Sequence, residues 1–252
     1  LYKNYYSRLR ENFFKFILKL IFSQPRLKII FQNKNDYYYF KKKIKLSKNK
    51  VCFIKGSGVD LKKFKYSKIN FKELNIILIS RIIGEKGIIE YIKAVKYLKT
   101  RKFKGNFYLV GDIDYSNPSA IDKSTIELWK KEKIINYLKH QNNVYKILKK
   151  STIIVLPSHR EGFPKILMEA AAVGRPVITT NVPGCRDAII NKKTGVLVPL
   201  KNHIKLAKAI LKLSKNKKQI IRYGIEGRKN AVRNFDVRDV VSKHLSIYKS
   251  LI

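Results

Sequence analysis

From Asn75 onward, short apolar runs alternate with segments whose apolar residues recur three and four positions apart. "NIILIS" (75–80) predicts a strand, and Ile88, Ile92, Val95 and Leu98 in "KGIIEYIKAVKYLKT" follow helical spacing. The same reading gives a strand at "FYLVG" (107–111), a helix across 122–133 and a short helix at "VYKILKK" (144–150). "STIIVLPS" (151–158) reads as a buried strand, followed by a helix that opens near Pro164. "RPVITT" (175–180) and "TGVLVPL" (194–200) predict strands on either side of a short helical piece, "GCRDAII" (184–190). Several of these strands are apolar at every position, as parallel strands covered on both faces are. The alternation predicts an α/β fold, a Rossmann-like doubly wound parallel sheet, over residues 72–230.

The ends read differently. Residues 1–24 form a Lys-, Arg- and Phe-rich amphipathic helix, which could lie on a membrane. A packed helix with solvated lysines is the simpler expectation. "LKIIFQN" (27–33) reads as a lone strand with no partner nearby in sequence, and "KKKIKLSKNK" (41–50) as a solvated linker. The tail, "RNFDVRDVVSKHLSIYKSLI", reads as a helix, and no internal repeat is visible. Met168 is the only methionine, and the chain opens at Leu1 in what reads as mid-helix. The sequence is therefore expected to be a piece of a longer protein.

Composition narrows the classes. With 252 residues, 45% of them hydrophobic and 29% charged, the chain can bury a real core. Lys and Arg number 56 against 17 Asp and Glu, a formal net charge of +39. That balance predicts attraction to an anionic partner: nucleic acid, an anionic membrane face or a phosphorylated substrate. Lysine recurs in nearly every segment instead of gathering in one stripe, which argues against a dedicated nucleic-acid binder. Cys52 and Cys185 lie far apart without CxxC spacing, so neither a zinc site nor a disulfide framework is expected, and a reducing cytoplasm is the default.

The chemistry concentrates in "PSHREGFPKILMEAAAVGRP" (157–176). A strand ends, Gly162 allows a ligand to approach the backbone, and Pro164 fits the first helical position. The helix start then presents free N–H groups and a positive dipole end at the carboxyl edge of a parallel sheet, where α/β folds bind ligands. Glu161 and Glu169 flank this anion-binding start. As acceptors they suit hydroxyls on either side of a diphosphate, and a diphosphate with a polyol at each end is a nucleotide sugar. The ordinary alternative is that Glu161 caps the helix and Glu169 faces water, and spacing alone does not separate the two. "GSGVDL" (56–61) has Leu61 where GxGxxG needs its third glycine, which excludes a nicotinamide or flavin site.

The stretch "PSHREGFPKILMEAAAVGRPVITTNVPGCRDAIINKKTGVLVP" (157–199) resembles the signature region of retaining glycosyltransferases of family four, which have the GT-B fold. The capsule- and surface-polysaccharide branch is the most similar. "GSGVDLKKF" (56–64) resembles the passage between the two domains, "SRIIGEKGI" (80–88) the basic loop, "LVGDID" (109–114) the strand after it, and the tail the helix that crosses back. The resemblance implies four parts: residues 1–50 as a remnant of the N-terminal acceptor domain, 51–71 as interdomain linker, 72–230 as the donor domain and 231–252 as the crossing helix. It implies that Arg81 and Lys86 hold the donor diphosphate and stabilise the leaving group, so that these two and Glu161 are the expected catalytic set. Glu161 would contact the sugar hydroxyls, Gly162, Phe163 and Pro164 would line the sugar and phosphate through the backbone, and Glu169 would grip the ribose. His140 and Val144 flank the expected base region, although "YLKHQNNV" lacks the family's glycine there.

On this resemblance, the chain is the donor-binding half of an enzyme that moves a hexose or N-acetylhexosamine from a nucleotide-diphosphate sugar, UDP-linked, to a lipid-linked or surface-polysaccharide acceptor. No metal and no other cofactor is expected, since the nucleotide sugar is a substrate. The expected location is cytoplasmic, with docking on an anionic inner leaflet as a further expectation, and the expected partner is the missing N-terminal domain or a chain supplying it. Two other classes stand beside it: a non-catalytic nucleotide-sugar-binding module or split-enzyme subunit, and a nucleic-acid-binding protein suggested by charge alone.

Overall fold

The computed structural model of the chain describes residues 2–44 and 46–252, with side chains from Arg8 onward. The first elements are α1 (Tyr2–Ser23), β1 (Ile29–Phe31), α2 (Lys34–Lys43), a 3-10 turn at Lys48–Lys50 and β2 (Val51–Phe53). β1 is not a lone strand: it pairs in parallel with β2, Ile29 opposite Val51 and Phe31 opposite Phe53. The partner was hidden because it lies beyond α2 and begins the stretch expected as linker. The Lys-rich run 41–50 is likewise more than a solvated linker, since Ile44 and Leu46 are buried with Phe31 in a small core that Leu18, Phe22 and Phe40 also touch. Two apolar residues set two apart point inward while the flanking lysines stay in water. Among the described side chains of α1, Leu18 and Phe22 pack against this core. Leu9, Phe13, Phe16 and Leu20 are exposed, so the expectation of an ordinary packed helix holds in part only.

The main sheet follows in strict alternation. Its elements are β3 (Asn75–Ile79), α3 (Ile88–Thr100), β4 (Asn106–Val110), α4 (Lys123–Lys131), β5 (Asn136–Leu138), α5 (Val144–Lys150) and β6 (Ile153–Leu156). Then come α6 (Lys165–Val173), β7 (Val177–Thr180), α7 (Pro183–Ala188), β8 (Gly195–Val198), α8 (His203–Ser214), α9 (Lys217–Asn234) and α10 (Val237–Lys249). The strand order is β5-β4-β3-β6-β7-β8, with every pair parallel. β5, only three residues long at the sheet edge, is the strand that periodicity does not reveal.

Alternation along each strand divides the core into two layers. Ile76, Leu78, Phe107, Leu109, Ile153 and Val155 face one layer, with Tyr91 and Leu98 of α3. Ile77, Val110, Ile154 and Leu156 face the other, with Leu167 and Met168 of α6. Each fully buried aliphatic or aromatic side chain contributes roughly 1.5–3 kcal/mol, which is why strands apolar on both faces must lie between helices. The order places a topological switch between β3 and β6: the chain builds outward through β4 and β5, then returns to the opposite side of β3. The loops after β3 and β6 therefore open a crevice at the carboxyl edge. The segment after β2 is tied to the junction before α10 by Val59 N–H to Phe235 O (2.7 Å) and Val237 N–H to Val59 O (3.1 Å). Among the described residues no helix is long and apolar enough to cross a membrane.

Candidate functional site

The loop after β3 runs Ser80 to Gly87, with a 3-10 turn at Gly84–Lys86 that presents Lys86. Gly87 ends it in a left-handed conformation (φ +73°), and a Cβ there would lie 2.0 Å from the Pro157 carbonyl oxygen. Only glycine lets the two crevice loops meet at this point. The loops are also joined by His159 N–H to Glu85 O at 2.8 Å and by a 3.0 Å contact between His159 Nε2 and Glu90 Oε1. Glu90 Oε2 is buried without a hydrogen-bond partner. The His159–Glu90 pair was not singled out in the sequence, where its members stand 69 positions apart.

Lys86 and Glu161 do come together: Lys86 Nζ lies 2.6 Å from Glu161 Oε1, with side-chain exposures of 20% and 11%. The same oxygen accepts from Ser158 Oγ at 2.6 Å, so Glu161 reaches across the crevice and does not cap α6. Arg81 takes a different course. Its Nη1 pairs with Asp114 Oδ2 at 2.6 Å on the loop after β4, and its side chain is 63% exposed. Arg81 also lines a cleft of about 310 Å³ with Gly111, Asp112, His140 and Val144, so the residues expected near the base do border one recess. Asp112 accepts from the His140 N–H at 2.9 Å and shapes its wall.

Pro164 is the N-cap of α6, one position before the first helical residue where the sequence placed it. The shift follows from its ψ of 119°, an extended value that a helical residue cannot hold. No side chain caps this helix start. Phe163 is buried, its ring 5.6 Å from that of Phe235, so the ring serves the core. Gly162 lies beneath the end of β1. Its carbonyl accepts from Asn33 Nδ2 at 3.0 Å, and a Cβ would meet Gln32 Oε1 at 2.6 Å. The N-terminal unit thus touches the turn, a contact with no signal in the sequence.

Glu169 does not face water. It is 7% exposed, with Lys165 Nζ at 3.8 Å. Burial pushes its carboxyl above the usual carboxylate range, against the pull of Lys165 and Lys63. A carboxyl raised by folding favours the neutral form, so the stability it carries is present at acid pH and is lost as pH rises past the unfolded value. Glu169→Gln is therefore expected to melt higher than the parent at pH 7, with the difference closing near about pH 4, the range of an unfolded glutamate. Melting curves at both pH values check this, and a lower Tm for the variant at pH 7 would contradict it. Beneath the turn, burial pushes the Cys185 thiol up to about 11, so it remains a protonated packing group. Among the described residues no cluster of three or more His, Cys, Asp or Glu side chains could hold a metal ion.

The structure thus brings Lys86 on one loop to Glu161 on the other, beside an uncapped helix start, while Glu169 is buried one turn into α6 beside Lys165. Comparison with known proteins places the chain. A family model described as "Glycosyl transferases group 1" matches residues 59–230. The chain is 29% identical over 226 residues to an N,N'-diacetylbacillosaminyl-diphospho-undecaprenol alpha-1,3-N-acetylgalactosaminyltransferase of Campylobacter jejuni, covering 84% of this chain and 58% of that protein. It is 27% identical over 209 residues to the capsular polysaccharide biosynthesis glycosyltransferase CapM of Staphylococcus aureus, covering 79% of this chain and 54% of the relative. Among solved structures, sucrose-phosphate synthase from Thermosynechococcus elongatus superposes with a TM-score of 0.81 at 21% identity, covering 94% of this chain and 61% of that one. The chain spans a little over half the length of both relatives. With a matching family model over most of its length, the α/β fold of the GT-B kind and relatives in capsule-type glycan synthesis, the chain belongs to the group 1 glycosyl transferases.

Proposed function

We propose that the chain is the donor-binding part of a retaining glycosyltransferase that moves a hexose or N-acetylhexosamine from a UDP-linked sugar to a lipid-linked or surface-polysaccharide acceptor. The observation that carries this reading is the meeting of Lys86 and Glu161 across the β3/β6 switch point, beside the uncapped start of α6. The diphosphate lies against that helix start and Lys86, with Arg81 toward the nucleoside end. Glu161 faces the sugar hydroxyls and Glu169 the ribose. In the reaction the bond between the anomeric carbon and the diphosphate oxygen breaks as the acceptor oxygen bonds to the same face. The acceptor proton passes to the departing diphosphate, whose growing charge the two cations offset without a metal ion. The lipid-linked acceptor is supported by the diphospho-undecaprenol named for the Campylobacter relative.

Calorimetry with UDP and a panel of nucleotide sugars tests the assignment. Glu169→Ala is expected to weaken UDP and UDP-sugar alike, whereas Glu161→Ala is expected to weaken UDP-sugar relative to UDP. Each lost charge-assisted bond is worth about 1.5–3 kcal/mol, or roughly a 10–100-fold change in Kd. A parent chain that binds no nucleotide sugar, or variants indistinguishable from it, would end the assignment.

A further inference from the structure

Both cations of the proposed donor site are already paired with acids. Lys86 is held by Glu161 and Arg81 by Asp114, each at 2.6 Å. Each acid is also fixed by a hydroxyl of its own loop: Glu161 Oε1 accepts from Ser158 Oγ at 2.6 Å, and Asp114 Oδ1 from Ser116 Oγ at 2.7 Å. The carboxylates are thus oriented toward the cations even before a cation pairs with them. Ser116 and then Arg81 hold the Asp114 carboxyl below the usual range, which keeps it charged near neutrality. A diphosphate that bonds Lys86 or Arg81 competes with a carboxylate for the cation, most directly at Lys86, which is 20% exposed against 63% for Arg81.

We infer that Glu161 and Asp114 are placeholder anions, each neutralising a phosphate-binding cation and exchanged for the diphosphate when the donor binds. The inference rests on the reading of the crevice as a diphosphate site and adds a source of selectivity to it. Once displaced, Glu161 is an 11% exposed carboxylate that has lost its cation. A donor sugar supplies hydroxyls to it; a nucleoside diphosphate without a sugar leaves it short of partners, which is costly at a buried position. Capture of the diphosphate and reading of the sugar are therefore linked through one side chain. Asp114, 21% exposed beside a largely solvated Arg81, has water to turn to, so its release discriminates less.

The test uses inorganic pyrophosphate, which carries the charge and no sugar. Calorimetry compares the parent with Glu161→Gln, Asp114→Asn and a control of equal charge change, Glu127→Gln, whose carboxylate pairs with Lys130 on the exposed side of α4. Pyrophosphate is expected to bind about tenfold more tightly to Glu161→Gln and about threefold more tightly to Asp114→Asn, in keeping with a buried and an exposed pair. The control is expected to match the parent, and Glu161→Gln to lose the parent's preference for UDP-sugar over UDP. No gain over the control in either variant overturns the inference, while binding of UDP-sugar by the parent would leave the donor reading standing. A gain for pyrophosphate with no nucleotide-sugar binding by the parent would uphold the placeholder role of the two acids and end the donor reading. If Glu161→Gln fails to fold, the more exposed Asp114→Asn carries the test.

Discussion

Lys86→Ala is expected to weaken binding of UDP and UDP-sugar together by about 10–100-fold, measured by calorimetry at fixed salt. Two effects act in the same direction. The variant removes a half-buried ammonium from the crevice, and it leaves the Glu161 carboxylate with Ser158 as its remaining partner where an anion must bind. A carboxylate that has lost its counter-ion repels the incoming diphosphate more strongly in a crevice than in water, because screening there is weaker. Combining Lys86→Ala with Glu161→Gln should restore part of the loss, since the repulsive half is then gone. Arg81→Ala is expected to cost less, because that side chain is 63% exposed. Unchanged affinity in Lys86→Ala would remove the lysine from the diphosphate site.

The second large effect concerns stability. Arg175→Ala is expected to lower unfolding free energy by about 3–5 kcal/mol and Tm by about 10 °C, read by denaturant and thermal melts. Arg175 is fully buried ahead of β7. Nε donates to Leu148 O at 2.8 Å, Nη2 to Lys149 O at 3.1 Å, and Nη1 to Ser67 O at 2.7 Å, with longer bonds to Val173 O and Gly174 O. No acid is among these partners. Burial lowers its pKa to about 10, which still leaves it protonated at neutral pH. One guanidinium thus satisfies the carbonyls that end α5 and α6 and ties them to the segment before β3. Alanine would take this donor from the Ser67, Lys149 and Gly174 carbonyls, while Leu148 O keeps Ser151 and Val173 O keeps the Ser67 N–H. Each acceptor left unmet away from water costs about 1–3 kcal/mol. A variant within about 1 kcal/mol of the parent would show that water can replace the fork.

The main sheet was legible because its physics is local. A strand such as Ile76 to Ile79 has no polar side, and its helix shows three- and four-residue spacing within one segment, so the longer elements declare themselves while the three-residue β5 does not. The motif around Gly162 was legible for the same reason, as was the shared placement of Glu161, Gly162, Phe163 and Pro164 on one loop. Contacts between distant segments were not. β1 and β2 are three residues each and separated by α2, too short and too far apart to show a pairing. Arg175 reads as one more cation in a chain with 56 of them until its burial is known. The Lys86–Glu161 pair joins residues 75 positions apart. Each residue was expected to serve a ligand, but nothing in the sequence says that each would first serve the other.

The amide of His159 donating to the carbonyl of Glu85, together with the close contact of Gly87 and Pro157, makes the two crevice loops one continuous surface. Most of the entropy lost in ordering such loops is therefore lost when the chain folds and not when a ligand arrives. A ligand that binds between these loops would meet walls already tied to each other.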